Sequence, residues 1–381
     1  MLEPRFDRRK LLALSALMLV AGCNILPKGK PKPPPPPPVD TLPKDLARHR
    51  VALLVPLSGA NAALGQSIAN ATTMALLDTQ AKTIRLTTYD TAPGSAAAAR
   101  KAIADGNRLV LGPLTAEEIA PVAAVTRAAK VPLLTYSGDA GVAARDVFVL
   151  GTTPDDAIVR VVGFAHSRGA RRFALLVPKG DYGSRAGSAY AAAVRAAGGT
   201  LVGTESYDRS NTSVVSAAQR LKGKGGFDVV LIADSPRFAA LAAPRLKAAG
   251  ARSPRILGTE LWSGELAITK TPALRGAWFA SVADTRFAQF TASYKARFGA
   301  APYRQATYGY DSVLLTVRIA RDWRAGSAFP SAKLLERDGF LGLDGPFRFA
   351  ATGESERALE VREVRAGGVT IVSPAPAKFA P

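Results

Sequence analysis

At 381 residues the chain is long enough for two domains of ordinary size, and a hydrophobic fraction of 48% excludes wholesale disorder. Its 50 Lys+Arg against 30 Asp+Glu give a net charge of +20. Two histidines and a single cysteine exclude a disulfide scaffold and leave no histidine pair at zinc spacing.

The first residues predict export. Arg5, Arg8, Arg9 and Lys10 precede the apolar stretch Leu11 to Val20. That stretch is shorter than the roughly 20 residues a bilayer core demands and has the length of a signal-peptide core. Val20-Ala21-Gly22-Cys23 follows and resembles the lipobox of bacterial lipoproteins. The resemblance implies that Cys23 is acylated and becomes the mature N-terminus, which suits a lone thiol with no internal partner. Asn24, in place of aspartate, implies an outer-membrane destination facing the periplasm. Pro27 to Lys32 and the six prolines Pro33 to Pro38 predict an extended polyproline spacer. Residues 24–48 would hold the folded part up to about 75 Å from the membrane.

Four basic and two acidic groups lie in residues 1–22, so +18 of the +20 stays with the exported part. Such a charge often marks nucleic-acid binding. An export signal, scattered arginines and no basic–aromatic motif argue against a nucleic-acid partner. Anionic envelope polymers, an acidic partner, or a coding bias toward Ala and Arg remain as accounts of the charge.

From residue 50 strands and helices alternate. Strands are predicted at Arg50 to Pro56, Thr83 to Tyr89, Arg108 to Leu111 and Val131 to Thr135. Helices fall between them at Gly65 to Leu77, Ser95 to Ala104 and Thr115 to Ala129, the last opened by a Thr115–Glu118 capping box. The alternation restarts at Thr153-Pro154, a cap followed by a first-turn proline. Strands at Arg172 to Pro178, Thr200 to Tyr207, Phe227 to Ala233 and Arg255 to Gly258 then alternate with helices at Ser184 to Ala197, Thr212 to Leu221 and Pro236 to Ala249. Two helices with no strand between them, Arg286 to Phe298 and Ala306 to Arg321, precede β-structure at Gly345 to Phe349 and Leu359 to Val372. The fold class is α/β, two doubly wound parallel-sheet lobes joined by a multi-strand hinge. The predicted division is 49–149 with 283–340 as lobe 1, 150–282 with 341–373 as lobe 2, and 374–381 as a tail.

The landmarks resemble the type I periplasmic binding fold in its leucine/isoleucine/valine-binding branch. Pro56-Leu57-Ser58-Gly59 through Gly65 is similar to that branch's entry loop, Leu111-Gly112-Pro113 to its turn before the third helix, and Asp181-Tyr182-Gly183 and Tyr308-Gly309-Tyr310-Asp311 to two further motifs. Tyr89-Asp90 sits at its acidic turn after the second strand. Within the superfamily the chain resembles penicillin-binding-protein activators, lipoproteins that stimulate a peptidoglycan synthase. That likeness rests on Pro56 to Gly59, Leu111 to Leu114, Ala233-Asp234-Ser235-Pro236 leading to Ala243-Pro244-Arg245-Leu246, and Leu257 to Trp262.

The resemblance implies an interlobe cleft lined by Ser58, Leu64, Thr115, Ala116, Tyr136, Ser137, Gly138, Asp139, Tyr182, Asp234 and Glu260. Glu260 falls at the acid that pairs with a ligand ammonium. Glu117 and Glu118 either favour the start of their helix through its dipole or repel a ligand carboxylate. Tyr182 reads as a pocket wall or as a turn aromatic.

No nucleophile elbow or P-loop, and no dinucleotide fingerprint after a strand, is present, and the histidines His49 and His166 stand apart. The expectation is a non-enzymatic binding protein with no cofactor and no metal. Two functions are implied: activation of a peptidoglycan synthase, or the solute-binding role beside an ABC permease with an amino-acid-like ligand.

Overall fold

A computed structural model of the chain describes residues 47–247 and 253–379. The export signal, Cys23 and the proline run lie outside the described residues, as does the end of the helix predicted to reach Ala249. Among the described residues no helix is long and apolar enough to cross a membrane.

The first lobe is built on strands β1 (His49–Val55), β2 (Ile84–Asp90), β3 (Leu109–Leu111), β4 (Leu133–Thr135) and β5 (Val147–Val149), connected by helices α1 (Ala62–Asp78), α2 (Ser95–Ala104) and α3 (Ala116–Ala128). All five strands are parallel, in the order β2-β1-β3-β4-β5. The run of apolar residues in β1 reflects burial on both faces. Val51, Leu53 and Val55 join one core cluster, while Ala52 and Leu54 join the other.

The second lobe repeats the plan. Strands β6 (Arg172–Pro178), β7 (Thr200–Tyr207), β8 (Val229–Ile232), β9 (Arg255–Gly258) and β10 (Trp278–Ser281) alternate with helices α4 (Pro154–Ser167), α5 (Asp181–Ala196), α6 (Ser213–Lys224) and α7 (Pro236–Leu246). Their order, β7-β6-β8-β9-β10, is the first lobe's order over again. Phe173, Leu175 and Val177 of β6 enter one core, and Ala174 and Leu176 the other.

One close approach recurs in both lobes and explains two of the motifs. A Cβ on Gly65 in α1 would lie 1.8 Å from the carbonyl oxygen of Pro56, and one on Gly183 in α5 would lie 1.7 Å from that of Pro178. In each lobe the helix that follows the first strand presses its opening turns onto the carbonyl of a proline that ends or directly follows that strand, and only glycine leaves room.

After β10 the chain returns to the first lobe with α8 (Thr285–Phe298) and α9 (Ala306–Ala320), then the antiparallel strands β11 (Phe340–Gly342), β12 (Gly345–Phe349) and β13 (Ser355–Arg357). The boundary predicted at 340 is therefore displaced. Phe340, Phe347 and Phe349 pack into the core that holds Val51 and Leu53, so residues 340–357 stand with the first lobe. The chain then crosses once more into β14 (Glu360–Arg365) and β15 (Gly368–Ser373). β14 lies antiparallel to β10, and β15 antiparallel to β14, at the edge of the second sheet.

Among the described residues three crossings thus join the lobes, at 150–153, 282–284 and 358–359. Charged groups tie them together. Arg357 donates to the carbonyl of Leu150, and Arg362 reaches Asp284 at 2.6 Å and Glu360 at 2.6 Å. Arg304, from the first lobe, holds the other Asp284 oxygen at 2.8 Å.

Candidate functional site

In a sheet of this order the strand connections diverge between β1 and β3, and between β6 and β8. The loops leaving those strands at their carboxyl ends open a crevice. Three predicted residues sit on these loops, Ser58 after β1, Thr115 after β3 and Asp234 after β8, and Tyr182 stands in the first turn of α5 after β6. The loop after β4 supplies Tyr136 to Asp139, and the loop after β9 supplies Glu260.

On the first-lobe side most of these groups are engaged locally. Ser58 is exposed and donates to Asp90 at 2.8 Å; the backbone N–H groups of Leu57 and Ala92 hold the Asp90 carboxyl below its ordinary range. Thr115 caps α3, and both its N–H and its hydroxyl reach Glu118 at 3.2 Å, completing the capping box. Ala116 begins α3, and Leu64 on α1 packs, half-buried, against the lobe core. Ser137 is buried and accepts from the Asp139 N–H, and Gly138 faces the Thr152 carbonyl so closely that a Cβ would lie 2.6 Å from it. Asp139 reaches across to the second lobe, where Arg185 of α5 meets it at 2.9 Å.

Tyr136 departs from the expected cleft wall. It is 2% exposed, and its hydroxyl meets Ser312 of α9 at 2.9 Å inside the first lobe. The ring stacks behind Tyr308, 6.3 Å between centroids, so Tyr308 is the residue that faces the groove.

The second-lobe side carries two carboxylates on adjacent strand ends. Asp234 is 1% exposed. Arg209 holds both its oxygens, at 2.9 and 3.0 Å; Tyr207 donates to one at 2.5 Å and the Ser235 N–H to the other at 2.7 Å. Glu260 contrasts with it. Its Oε1 accepts from the Tyr182 hydroxyl at 3.0 Å, while its Oε2 is buried with no partner. Burial pushes the Glu260 carboxyl up to about 7. Tyr182 also meets Thr259 at 3.1 Å, and burial and the neighbouring Glu260 raise its phenol.

Glu260 lines an interlobe groove of about 650 Å³, a volume suited to a small organic ligand. Ser263 and Ser281 line its second-lobe wall; Phe287, Arg304 and Tyr308 line its first-lobe wall. Thr152, on the first crossing, donates its N–H to the Tyr308 hydroxyl at 3.1 Å. Arg304 stacks on Phe287 at 4.0 Å, is committed through Nη1 to Asp284 and through Nη2 to Asp344, and keeps a buried, unpartnered Nε. Sequence reasoning missed Phe287, Arg304 and the role of Tyr308, because they return to the cleft only after the second crossing. Arg185 was findable: it stands three residues after Tyr182 on a helix, and such residues share a face. Among the described residues no group of three or more His, Cys, Asp or Glu is placed to hold a metal.

A bilobal α/β protein with an interlobe groove that holds one unsatisfied buried carboxyl has the architecture of a ligand-binding protein. The sequence model of the periplasmic binding protein family matches residues 49–369, and the chain belongs to that family. Its fold is the type I periplasmic binding protein fold, and the family binds rather than catalyses, so the chain is not an enzyme. A structure from Rhodospirillum rubrum assigned to a branched-chain amino acid ABC transporter superposes with a TM-score of 0.75 at 21% identity, covering 85% of this chain and 100% of that one. LivJ of Streptococcus pneumoniae, solved with isoleucine, gives 0.59 at 19% identity over 86% and 100% of the two chains. A Rhodopseudomonas palustris solute-binding protein, solved with 3,4-dihydroxybenzoic acid, gives 0.63 at 20% identity over 87% and 97%. A curated Rickettsia prowazekii protein, itself uncharacterised, is 21% identical over 237 residues; the match spans 59% of this chain and 62% of that relative's length.

Proposed function

We propose that the groove beside Glu260 binds a small solute bearing an ammonium group, and that the chain is the solute-binding component of an ABC-type importer. The observation that carries this reading is the free Glu260 Oε2, buried on the wall of a 650 Å³ groove. A buried acceptor without a donor costs about 1–3 kcal/mol, a cost that a ligand N–H removes. Solved relatives of this fold hold isoleucine in one case and 3,4-dihydroxybenzoic acid in another. The acid at Glu260 favours the amine-bearing class here, because a benzoate would bring a second negative charge to a buried carboxyl. Apolar walls from Phe287, Leu261 and Val282 suit a hydrocarbon side chain.

Calorimetric titration with the branched-chain and aromatic amino acids, beside benzoate and 4-hydroxybenzoate, tests the proposal. Micromolar binding of at least one amino acid, lost in Glu260→Gln, is the expected outcome. Binding of the benzoates alone, or amino-acid binding indifferent to Glu260→Gln, would reject it.

A second reading keeps the resemblance to penicillin-binding-protein activators. It is favoured by the Thr115 hydroxyl, which is committed to Glu118 instead of standing free for a ligand carboxylate, and by the Asp139–Arg185 pair that links the lobes without a ligand. In that reading the lobes form a docking module for a peptidoglycan synthase, and recovery and stimulation of a synthase by the tagged chain would distinguish it. Under either reading the lipid on Cys23 would hold the protein at the outer membrane, facing the periplasm, with the proline run as spacer; incorporation of labelled palmitate, abolished by Cys23→Ser, checks the anchor.

A further inference from the structure

A second cavity of about 650 Å³ lies at the hinge, lined by the opening turns of α4, the third crossing and the stretch that follows β15. Arg160 of α4 fixes that last stretch by donating to Ser373 at 2.6 Å and to the Pro374 carbonyl at 3.1 Å. Farther along the stretch, the Phe379 ring lies under the Arg348 guanidinium of β12, with 4.7 Å to its centroid. Cavity and groove share Leu359 but none of their charged residues.

Three side chains on this cavity have polar atoms with no partner: Asp156 through Oδ2, Ser355 through Oγ, and Arg357 through Nε and Nη1. Ser355 and Arg357 are 9% and 5% exposed. Arg357 is fixed from its far side, since it donates to the Leu150 carbonyl and lies against the rings of Phe347 and Tyr308. An acceptor and two donors are therefore held, buried and unpartnered, around one space. Native proteins leave few such groups, and a set of them around a cavity marks a place for an occupant.

The chemistry of the set defines that occupant. Asp156, with Asp155 beside it on α4, keeps one oxygen open to a cation; burial pushes its carboxyl up to about 7, against the lowering effect of the Arg357 guanidinium and backbone N–H, and raises that of Asp155. Arg357 and Ser355 ask for a neighbouring oxygen. Val159, Leu359, Pro376 and Phe379 offer apolar surface. We propose that this hinge cavity binds an apolar amino alcohol, with its ammonium on Asp156, its oxygen accepting from Arg357 and Ser355, and its hydrocarbon body against Val159, Leu359 and Phe379. Because the cavity's walls come from both lobes and from the crossing between them, an occupant there contacts the hinge itself.

The test is calorimetric titration of the Glu260→Gln chain, in which ammonium binding at the cleft is weakened, with phenylalaninol as probe. Phenylalaninol is expected to bind. 3-Phenylpropanol, which lacks the amine, is expected to give no heat, and 2-phenylethylamine, which lacks the oxygen, to bind more weakly. Asp156→Asn should weaken phenylalaninol at least tenfold, and so should Val159→Arg, which places a cation at the rim. Val159 is 59% exposed, so that second variant keeps its fold if Asp156→Asn does not. No heat with phenylalaninol, equal binding of 3-phenylpropanol, or affinity unchanged by both substitutions would overturn the proposal. The result is independent of amino-acid binding in the cleft, which is read on the Glu260 chain.

Discussion

Asp234 and Glu260 stand at the carboxyl ends of neighbouring strands in the second lobe, and the backbone gives them equivalent positions. Their surroundings differ completely. Asp234 has a bidentate arginine, a tyrosine and a backbone N–H on its two oxygens. Glu260 has Tyr182 on one oxygen and nothing on the other. A saturated buried carboxylate holds structure in place, because every lone pair that burial strips of water has a protein donor. An unsaturated one keeps an acceptor whose burial is uncompensated, which a donor would relieve. Both acids were expected in the cleft; their hydrogen bonds separate a saturated carboxylate from an unsaturated one.

The comparison can be broken most forcefully at Asp234. Asp234→Ala should destabilise the protein by about 3 kcal/mol, since it leaves the buried Tyr207 hydroxyl and the Ser235 N–H without their acceptor; a chemical denaturation midpoint unchanged from the parent would show that the cluster is incidental. Glu260→Gln should instead leave the fold intact and lower the affinity for an ammonium-bearing ligand ten- to a hundredfold, or about 1.4–2.7 kcal/mol.

The pH dependence sharpens the contrast. The folded pKa of Glu260 is raised from 4.5 to about 7, so the folded state holds its proton more tightly than the unfolded chain. Its contribution to stability is therefore present at acid pH and declines as pH rises from about 4.5 to about 7, with no further change above. Melts from pH 4 to 8 should show a shallower decline in Glu260→Gln than in the parent, whereas cation binding in the parent should strengthen across the same window. The smallest effect is expected at the lobe-to-lobe pair. Arg185 is 40% exposed, and Asp139→Asn should cost under about 1 kcal/mol and fade in high salt, as a two-variant cycle with Arg185→Gln would report.

Much of this architecture was legible in the sequence because of how the strands are buried. β1 and β6 are apolar on both faces, which makes each a continuous run that cannot be mistaken for a half-exposed strand. β10 was not legible: Trp278 to Ser281 is four residues long and follows short single-turn helices, so no period develops before the strand ends. Helix α5 starts at Asp181, three residues ahead of the predicted Ser184, because Gly180 at a φ of 100° turns the chain directly into it. Tyr136 was open to a better reading. Along a strand, alternate residues share a face, and Leu134 is in the same first-lobe core that receives Tyr136. Two-residue periodicity therefore points Tyr136 inward. The wall formed by Phe287, Arg304 and Tyr308 had no comparable signal, since it depends on where the chain re-enters the first lobe more than a hundred residues after leaving it.

The third crossing, back into the second lobe, has a consequence for how the molecule is made. β14 pairs along β10, Trp278 opposite Glu363, and Val361 and Val364 fill the cores on the two faces of the second sheet. On a ribosome, or emerging from a translocon, β10 must wait some eighty residues for its neighbour, with its outer edge bare in the meantime. The second sheet is thus completed only once residues 360–365 have been made, and until then β10 is the edge a helper that shields nascent strands would cover.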